Sequence, residues 1–411
     1  MDRISFLPDD VLLQILSLLP TKDVLTTSPL SKRWRNLWKL VHKLEYMYCV
    51  KNNDDHGRFV RFVDRSLLLS TAPVLESLHF KIRRQCSDVD IGFWVRIAVE
   101  RGLRDLNFDY NTHSEPIKLP QSLFTCGTLV TLKLTEVSLV DVKLTEVCFQ
   151  FLKTLHLRYV IYLDDETPRK LLSSCQILEV LVVNRKTNDN VTTFCIMLPS
   201  LQKLIYDARC DTHDGVYDFV MNAPSLKCLE LLDAGTECMV EKMPQLVAAN
   251  VAACYTNTDN ILTSLTSVKR LSLCLPKSSF PTGEIFHQLV DLEFCTYGTQ
   301  WFLLISILKH SPKLRALKLN ERHNSFFREK MQHWDEPSCF SETLMFGLET
   351  LEWRNYRGWE MEKKLATFIL KHSCRLKTAI ISPRATTLEH KHQMLTELAL
   401  LDDKSDCNRR R

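Results

Sequence analysis

Glycine is scarce in this 411-residue chain, with 10 residues or about 2.4%, against about 7% in average proteins. That scarcity argues against folds built on phosphate-cradling loops or on serial tight hairpins. Long apolar runs are missing too. Trp301–Leu308, broken only by Ser306, has eight residues, far short of the roughly 18 that suggest a membrane span. Val11–Leu19 is apolar, but Asp2, Asp9 and Asp10 stand where a secretory signal would be basic, and Pro20-Thr-Lys-Asp stands where its cleavage site would be. Charge of one sign is not in excess: 53 Lys and Arg against 49 Asp and Glu give +4, spread thinly. A nucleic-acid binder concentrates its basic residues; here the densest cluster is the tail Arg409–Arg411.

Fifteen cysteines include no C-x-x-C pair, and the closest two, Cys228 and Cys238, are ten apart. Zinc sites need ligands at short paired spacing, so no structural metal is expected. Cysteines scattered among leucines act as small buried hydrophobes, and without a secretory signal we expect free thiols in a reducing compartment. No nucleophile elbow, zincin helix, Walker loop or dinucleotide fingerprint occurs. His390 and His392, near Glu389 and His372, lie in a charged helical pattern where side chains two apart diverge. Asp164-Asp165 and Asp402-Asp403 have no accompanying nucleophile and read as solvated turns. The expectation is a soluble, non-catalytic protein of the cytoplasm, the nucleus or both. No cofactor, nucleic-acid partner or membrane partner is expected.

Leucine is what the chain has instead: 65 residues, about 16%. The pattern L-x-x-L-x-L, with aliphatic or aromatic replacements, occurs thirteen times, from LESLHF at Leu75 through LVTLKL at Leu129 and LKCLEL at Leu226 to LKTAII at Leu376. The starts span 301 residues over twelve intervals, a mean of about 25, inside the range of about 20–29 for leucine-rich repeats. Pro73, Pro199, Pro224, Pro244 and Pro312 each lie two residues before the first leucine of a copy, where proline would end a helical segment. Alternation predicts strands with, for example, Leu78 and Phe80 inward and Ser77 and His79 outward. Arg169–Cys175 and Phe302–Lys309 read as intervening helices. One repeat cannot bury its own leucine face, so the copies must stack into a curved solenoid with a parallel sheet on the concave side. The polar stretch Asn320–Phe340 reads as a loop at a subdomain boundary.

Residues 1–45 fall outside this rhythm. Pro8 suits a first helical position, with Asp9 and Asp10 at the positive end of the helix dipole. From Val11 to Leu19, seven of nine residues are apolar, leaving Asp10, Gln14 and Ser17 as one narrow polar stripe. A surface helix shows the reverse proportion, so one face should dock onto another protein; the bland alternative is a helical cap on the solenoid. Thr21 can cap a second helix and Ser31 a third, in which Trp34, Leu37 and Trp38 share a face.

Leu7 to Trp38, LPDDVLLQILSLLPTKDVLTTSPLSKRWRNLW, resembles the F-box. The resemblance implies a docking surface for a Skp-type adaptor and, through it, a cullin ubiquitin ligase, with Leu7, Pro8, Val11, Leu12, Ile15, Leu16 and Leu30 as docking residues. Trp34 would hold the helices together. Pro29 departs from the usual aliphatic residue and disfavours helix at Ser28. Trp334-Asp-Glu-Pro337, GLETLEWRNYRG from Gly347, ILKHSCRLKTAIIS from Ile369 and the helix ending at Leu401 resemble the FBD domain of plant F-box proteins.

The expected architecture is therefore α/β. A three-helix F-box (1–45) precedes a leucine-rich-repeat solenoid (46–333), an FBD extension (334–405) and a basic tail (406–411). The expected role is the substrate-recognition subunit of a Skp-cullin-F-box ligase, with an unidentified target held by the repeats. The alternative is a leucine-rich interaction scaffold without a ubiquitin role. Among outward strand positions, Val180, Val182 and Ile205 stand out as an apolar patch for a target.

Overall fold

Each of the thirteen copies forms a strand that begins two residues after the copy's first apolar residue, from Ser77 after Leu75 to Thr378 after Leu376. These elements come from a computed structural model describing residues 4–49, 56–112, 115–186, 189–208, 218–233, 237–252, 259–275, 284–296, 301–320, 347–384, 387, 391, 392, 394 and 396. Two compact units divide the chain, one of residues 1–201 with 210–215, the other of 202–209 with 216–411.

In the first unit, β1 (Lys43–Tyr48), β2 (Ser77–Ile82) and β3 (Asp105–Tyr110) pair in parallel and in chain order, followed by Thr131–Thr135, Thr154–Arg158 and Val180–Asn184. Equal repeat positions pair. Leu78 meets Leu106, Leu106 meets Leu132, Leu132 meets Leu155 and Leu155 meets Leu181, and all five are buried. In the second unit Lys203–Asp207, Cys228–Leu232, Ala248–Ala252, Arg270–Cys274, Asp291–Cys295, Ala316–Asn320, Thr350–Tyr356 and Thr378–Pro383 continue the same scheme. The arrangement is a leucine-rich-repeat solenoid in each unit, and each buried leucine contributes about 1.5–3 kcal/mol that no single copy could supply alone.

Entry into most of the strands is satisfied in the same way. The carbonyl of the copy's second residue accepts two N–H groups from the next copy: Glu76 from Arg104 and Asp105, Arg104 from Val130 and Thr131, Val247 from Lys269 and Arg270. Buried backbone polar groups demand such partners. The phased prolines turn out to do more than end a helix. In Leu198-Pro-Ser-Leu201, Ala223-Pro-Ser-Leu226, Met243-Pro-Gln-Leu246 and Ser311-Pro-Lys-Leu314 the first leucine's N–H donates to the carbonyl three residues back. Proline therefore sits at the second position of a tight turn, where its fixed φ is already correct.

Three expectations need amendment. The intervening segments are helical at α4 (His56–Leu69) and α5 (Asp88–Glu100), and again at Glu166–Ser173, Trp301–Lys309 and Glu360–His372. In between, short strands replace helices at Thr193–Met197, Asp218–Asn222 and Glu237–Val240, the last two pairing in parallel. Their sequences alternate, as in Asp-Phe-Val-Met-Asn, which suits a strand better than a helix. Ten described cysteines are free, but Cys374 is disulfide-bonded, against the expectation of free thiols throughout. A further copy precedes the thirteen: Val41-His-Lys-Leu44-Glu-Tyr46 supplies β1. Valine and tyrosine disguised it, yet Leu44 pairs with Leu78, and Tyr46 stacks on Phe80 at 5.4 Å.

In the C-terminal region Trp353 and Tyr356 are buried and pack edge-to-face at 5.1 Å, and the helix Glu360–His372 follows. The Trp334–Pro337 motif, most of the Asn320–Phe340 stretch and the tail Arg409–Arg411 lie outside the described residues.

Candidate docking surfaces

The N-terminal helices are short. α1 spans Asp9–Leu16, α2 Thr21–Thr26 and α3 Trp34–Leu37, with 3-10 turns at Ser28–Leu30 and Trp38–Leu40. Pro29 ends α2 before Ser28, as its restriction on the preceding residue requires. Thr21 is the first residue of α2 rather than its cap; its Oγ1 accepts from the Glu45 N–H at 2.8 Å and so ties α2 to β1. Ser31 does face α3, its Oγ accepting from Trp34 N–H at 3.4 Å.

One core joins Leu12, Leu16, Val24, Trp34, Leu37, Trp38 and Val41, with Leu7, Leu13 and Leu25 packed against it. Leu12 and Leu16, expected at the docking surface, are 0% and 1% exposed. They cannot meet a partner while the segment is folded, because α1 turns these two residues, i and i+4, onto its inner stripe. Of the other expected docking residues, Leu7 is half-buried and Pro8, Val11, Ile15 and Leu30 are exposed. Phe6 at 83% and Leu18 at 80% are more exposed still, and Leu19 is open as well. The segment therefore keeps several large apolar side chains open to water on one small helical core.

Arg33 fixes the edge of that face. Its Nε donates to Asp9 Oδ1 at 2.7 Å and its Nη2 to the Leu7 carbonyl at 2.6 Å, holding the Leu7–Pro8 entry against the third helix. The half-exposed ion pair itself adds at most about 1 kcal/mol; its consequence is positional. The segment is also anchored behind. Thr71 and Ala72 N–H groups both donate to the Lys39 carbonyl, and Val41 leads from the helical core straight into β1. The helices thus form a cap on the first repeat and retain an apolar outer face.

On the sheet's polar face, Ser77, His79 and Asp105 form one cluster. His79 Nε2 lies 2.9 Å from Ser77 Oγ and 3.0 Å from Asp105 Oδ2. A Ser-His-Asp relay needs the two imidazole nitrogens to face nucleophile and carboxylate separately, whereas here one nitrogen serves both. Burial pushes the Asp105 carboxyl up, but the His79 hydrogen bond and charge, with Ser77 and Lys133, outweigh it and hold Asp105 below its ordinary value of 3.8. A depressed carboxyl stabilises the fold above its unfolded value and loses that contribution as pH falls through its folded value. Asp105→Asn is therefore expected to flatten the fall in melting temperature below about pH 4 by about 1–2 °C, a small effect because the pair is partly solvated. Melting curves across the acid range check it.

The proposed apolar target patch is corrected by burial. Val182 is 5% exposed, and Val180 and Ile205 are half-buried. Alternation assigns a side chain to a face but not to solvent, and Val182, opposite His156 in register, is enclosed.

Comparison with known proteins matches residues 4–46 to the F-box domain, 91–252 to the repeats of FBD-associated F-box protein At5g56370, and 336–381 to the FBD. FBD-associated F-box protein At5g56370 of Arabidopsis thaliana is 61% identical, over 98% of this chain and 97% of its own length. The chain belongs to the FBD-associated F-box protein family. F-box/FBD/LRR-repeat protein At5g56420 of the same plant is 50% identical, over 97% of this chain and 96% of its own.

Within the F-box, the resemblance does not point to Phe6 or Leu18, and it includes Leu19 and Arg33 without a docking role for either. Their signal was present in part: a segment with seven apolar residues in nine, Val11–Leu19, has more apolar surface than two inward leucines can use. The F-box and the leucine-rich repeats together carry a protein-interaction role, and no helix among the described residues is long and apolar enough to cross a membrane.

Proposed function

We propose that this F-box protein is the substrate-recognition subunit of a Skp-cullin-F-box ubiquitin ligase, its F-box holding a Skp-type adaptor and its repeats holding a target protein. The observation that carries the reading is the exposed apolar face of Phe6, Pro8, Val11, Ile15, Leu18 and Leu30 over an intact helical core. The chain makes no bond itself. It raises the effective concentration of target lysines beside a ubiquitin-charged enzyme. Anchoring of the F-box to β1 matters for that mechanism, because a fixed join between adaptor site and first repeat sets where those lysines fall.

Affinity purification of the full chain under proteasome inhibition tests the proposal. Adaptor and cullin are expected to co-purify, together with ubiquitinated protein that disappears when Leu7 and Pro8 are both changed to alanine. Co-purification of a target without adaptor or cullin would instead make the chain a leucine-rich scaffold.

A further inference from the structure

The second unit carries a cleft of about 280 Å³ on the polar face of its sheet, spanning the strands Cys228–Leu232, Ala248–Ala252, Arg270–Cys274, Asp291–Cys295 and Ala316–Asn320. Its floor is low because Ala248 and Ser272 stand where neighbouring strands present longer side chains. In register, Ala248 lies between Cys228 and Arg270, and Ser272 lies beside Glu293. Charged side chains of both signs line it.

These charges are not all engaged. Lys318 Nζ sits 2.9 Å from Asp291 Oδ2, so the carboxylate opposite Arg270 in register is already taken. Among the described residues, neither Arg270 nor Glu230 has a hydrogen-bond or ion-pair partner for its side chain. They stand on opposite sides of the small-residue floor, two strands apart and offset by two residues. Strand spacing and rise place their Cα atoms about 12 Å apart.

We propose that this cleft receives an extended segment of the target protein carrying one acidic and one basic side chain, the acid on Arg270 and the base on Glu230. The proposal rests on the reading of the repeats as the target-binding part. Three physical points select this occupant. A free guanidinium and a free carboxylate on one cleft call for a ligand of both signs, since complementary charge gives specificity where like charge repels. Arg270 in particular suits a carboxylate, which its planar fork can bind through two parallel hydrogen bonds. The volume lies just below the range of about 300–1,000 Å³ typical of small-molecule pockets, so it suits inserted side chains better than a whole cofactor. A span of about 12 Å corresponds to about three or four residues of extended chain. The acid and the base should therefore be separated by that interval.

The test uses the purified full-length chain on an array of short immobilised peptides. Each peptide holds one glutamate and one lysine at varied separation and in either order, with single-sign and neutral peptides as controls. Mixed-charge peptides of one order and of that separation are expected to be retained about tenfold better than the controls. Arg270→Glu and Glu230→Lys should each remove the preference, and the double variant E230K/R270E should select the reversed order. Restored binding in the double variant also shows that the single variants fold. Equal retention of neutral peptides, or an unchanged preference in Arg270→Glu, overturns the proposal. Displacement by free glutamate or free lysine at matched concentration overturns it in favour of a small ligand. Adaptor pull-down from the same preparation reports on the receptor reading separately. Adaptor bound without peptide selectivity rejects the cleft alone. Peptide selectivity without adaptor supports the cleft and rejects the ligase role.

Discussion

Leu18→Asp combined with Leu30→Asp is expected to weaken adaptor binding at least about a hundredfold while leaving the melting temperature unchanged. Both side chains are largely exposed, at 80% and 66%, so neither substitution opens a cavity. Exposed substitutions away from special features stay within about 0.5 kcal/mol. At a protein interface the same changes bury two carboxylates against apolar surface, and central apolar anchors cost about 2 kcal/mol or more each when lost. Leu16→Ala supplies the contrast. It removes a side chain from the F-box core and is expected to cost about 2–5 kcal/mol, losing adaptor only through unfolding. Titration calorimetry with a purified Skp-type adaptor, run beside thermal melts, separates the two classes. Full affinity in the Leu18/Leu30 double variant would remove this face from the interface.

Asp189→Ala should be among the most destabilising single changes in the first unit, at about 3–5 kcal/mol. Arg185 and Asp189 are 2% and 1% exposed and meet through two bonds, Nε to Oδ2 at 2.8 Å and Nη2 to Oδ1 at 2.6 Å. Arg185 also donates to the Val191 carbonyl, while Asp189 accepts from the Val191 N–H at 3.1 Å. Asp189 and Asn190 are held to Tyr162 by its N–H on the Asp189 carbonyl and by the Asn190 side chain on the Tyr162 carbonyl. Removing one partner strands a buried charge, and that penalty exceeds the net worth of the pair. Replacing both, as Arg185→Met with Asp189→Leu, should therefore cost much less than the single change. Denaturant midpoints decide it; equal losses in single and double variants would show that the pair acts only through its shape.

This ion pair shows why part of the molecule could not be read in advance. Arg185 and Asp189 look like ordinary surface charges on a polar turn. Only the packing of Phe194, whose ring lies 5.8 Å from the guanidinium, and of Val191 around them reveals a buried pair. β1 was hidden for a different reason. Its Val41 and Tyr46 satisfy the repeat's apolar positions with residues that a leucine count passes over. The docking residues divided on a third ground. Periodicity showed that α1 has more apolar surface than a small segment can bury, but Leu12 and Ile15 are both apolar residues on one short helix. Choosing which faces inward requires the position of Trp34 and Trp38.

What the sequence determined by itself is the repeat: the phase of thirteen of the strands, the prolines placed before several of them, and the F-box at the start. Each of these follows from short-range rules, such as alternation, proline geometry and the need of every copy for a neighbour, and those rules act identically wherever the pattern recurs. Tertiary structure alone decided which members of a pattern meet water. It enclosed Val182, exposed Leu18 and, among the described residues, left Arg270 and Glu230 without side-chain partners across a floor of small residues. Burial and pairing depend on side chains brought together from separate repeats, and no local pattern encodes that sum.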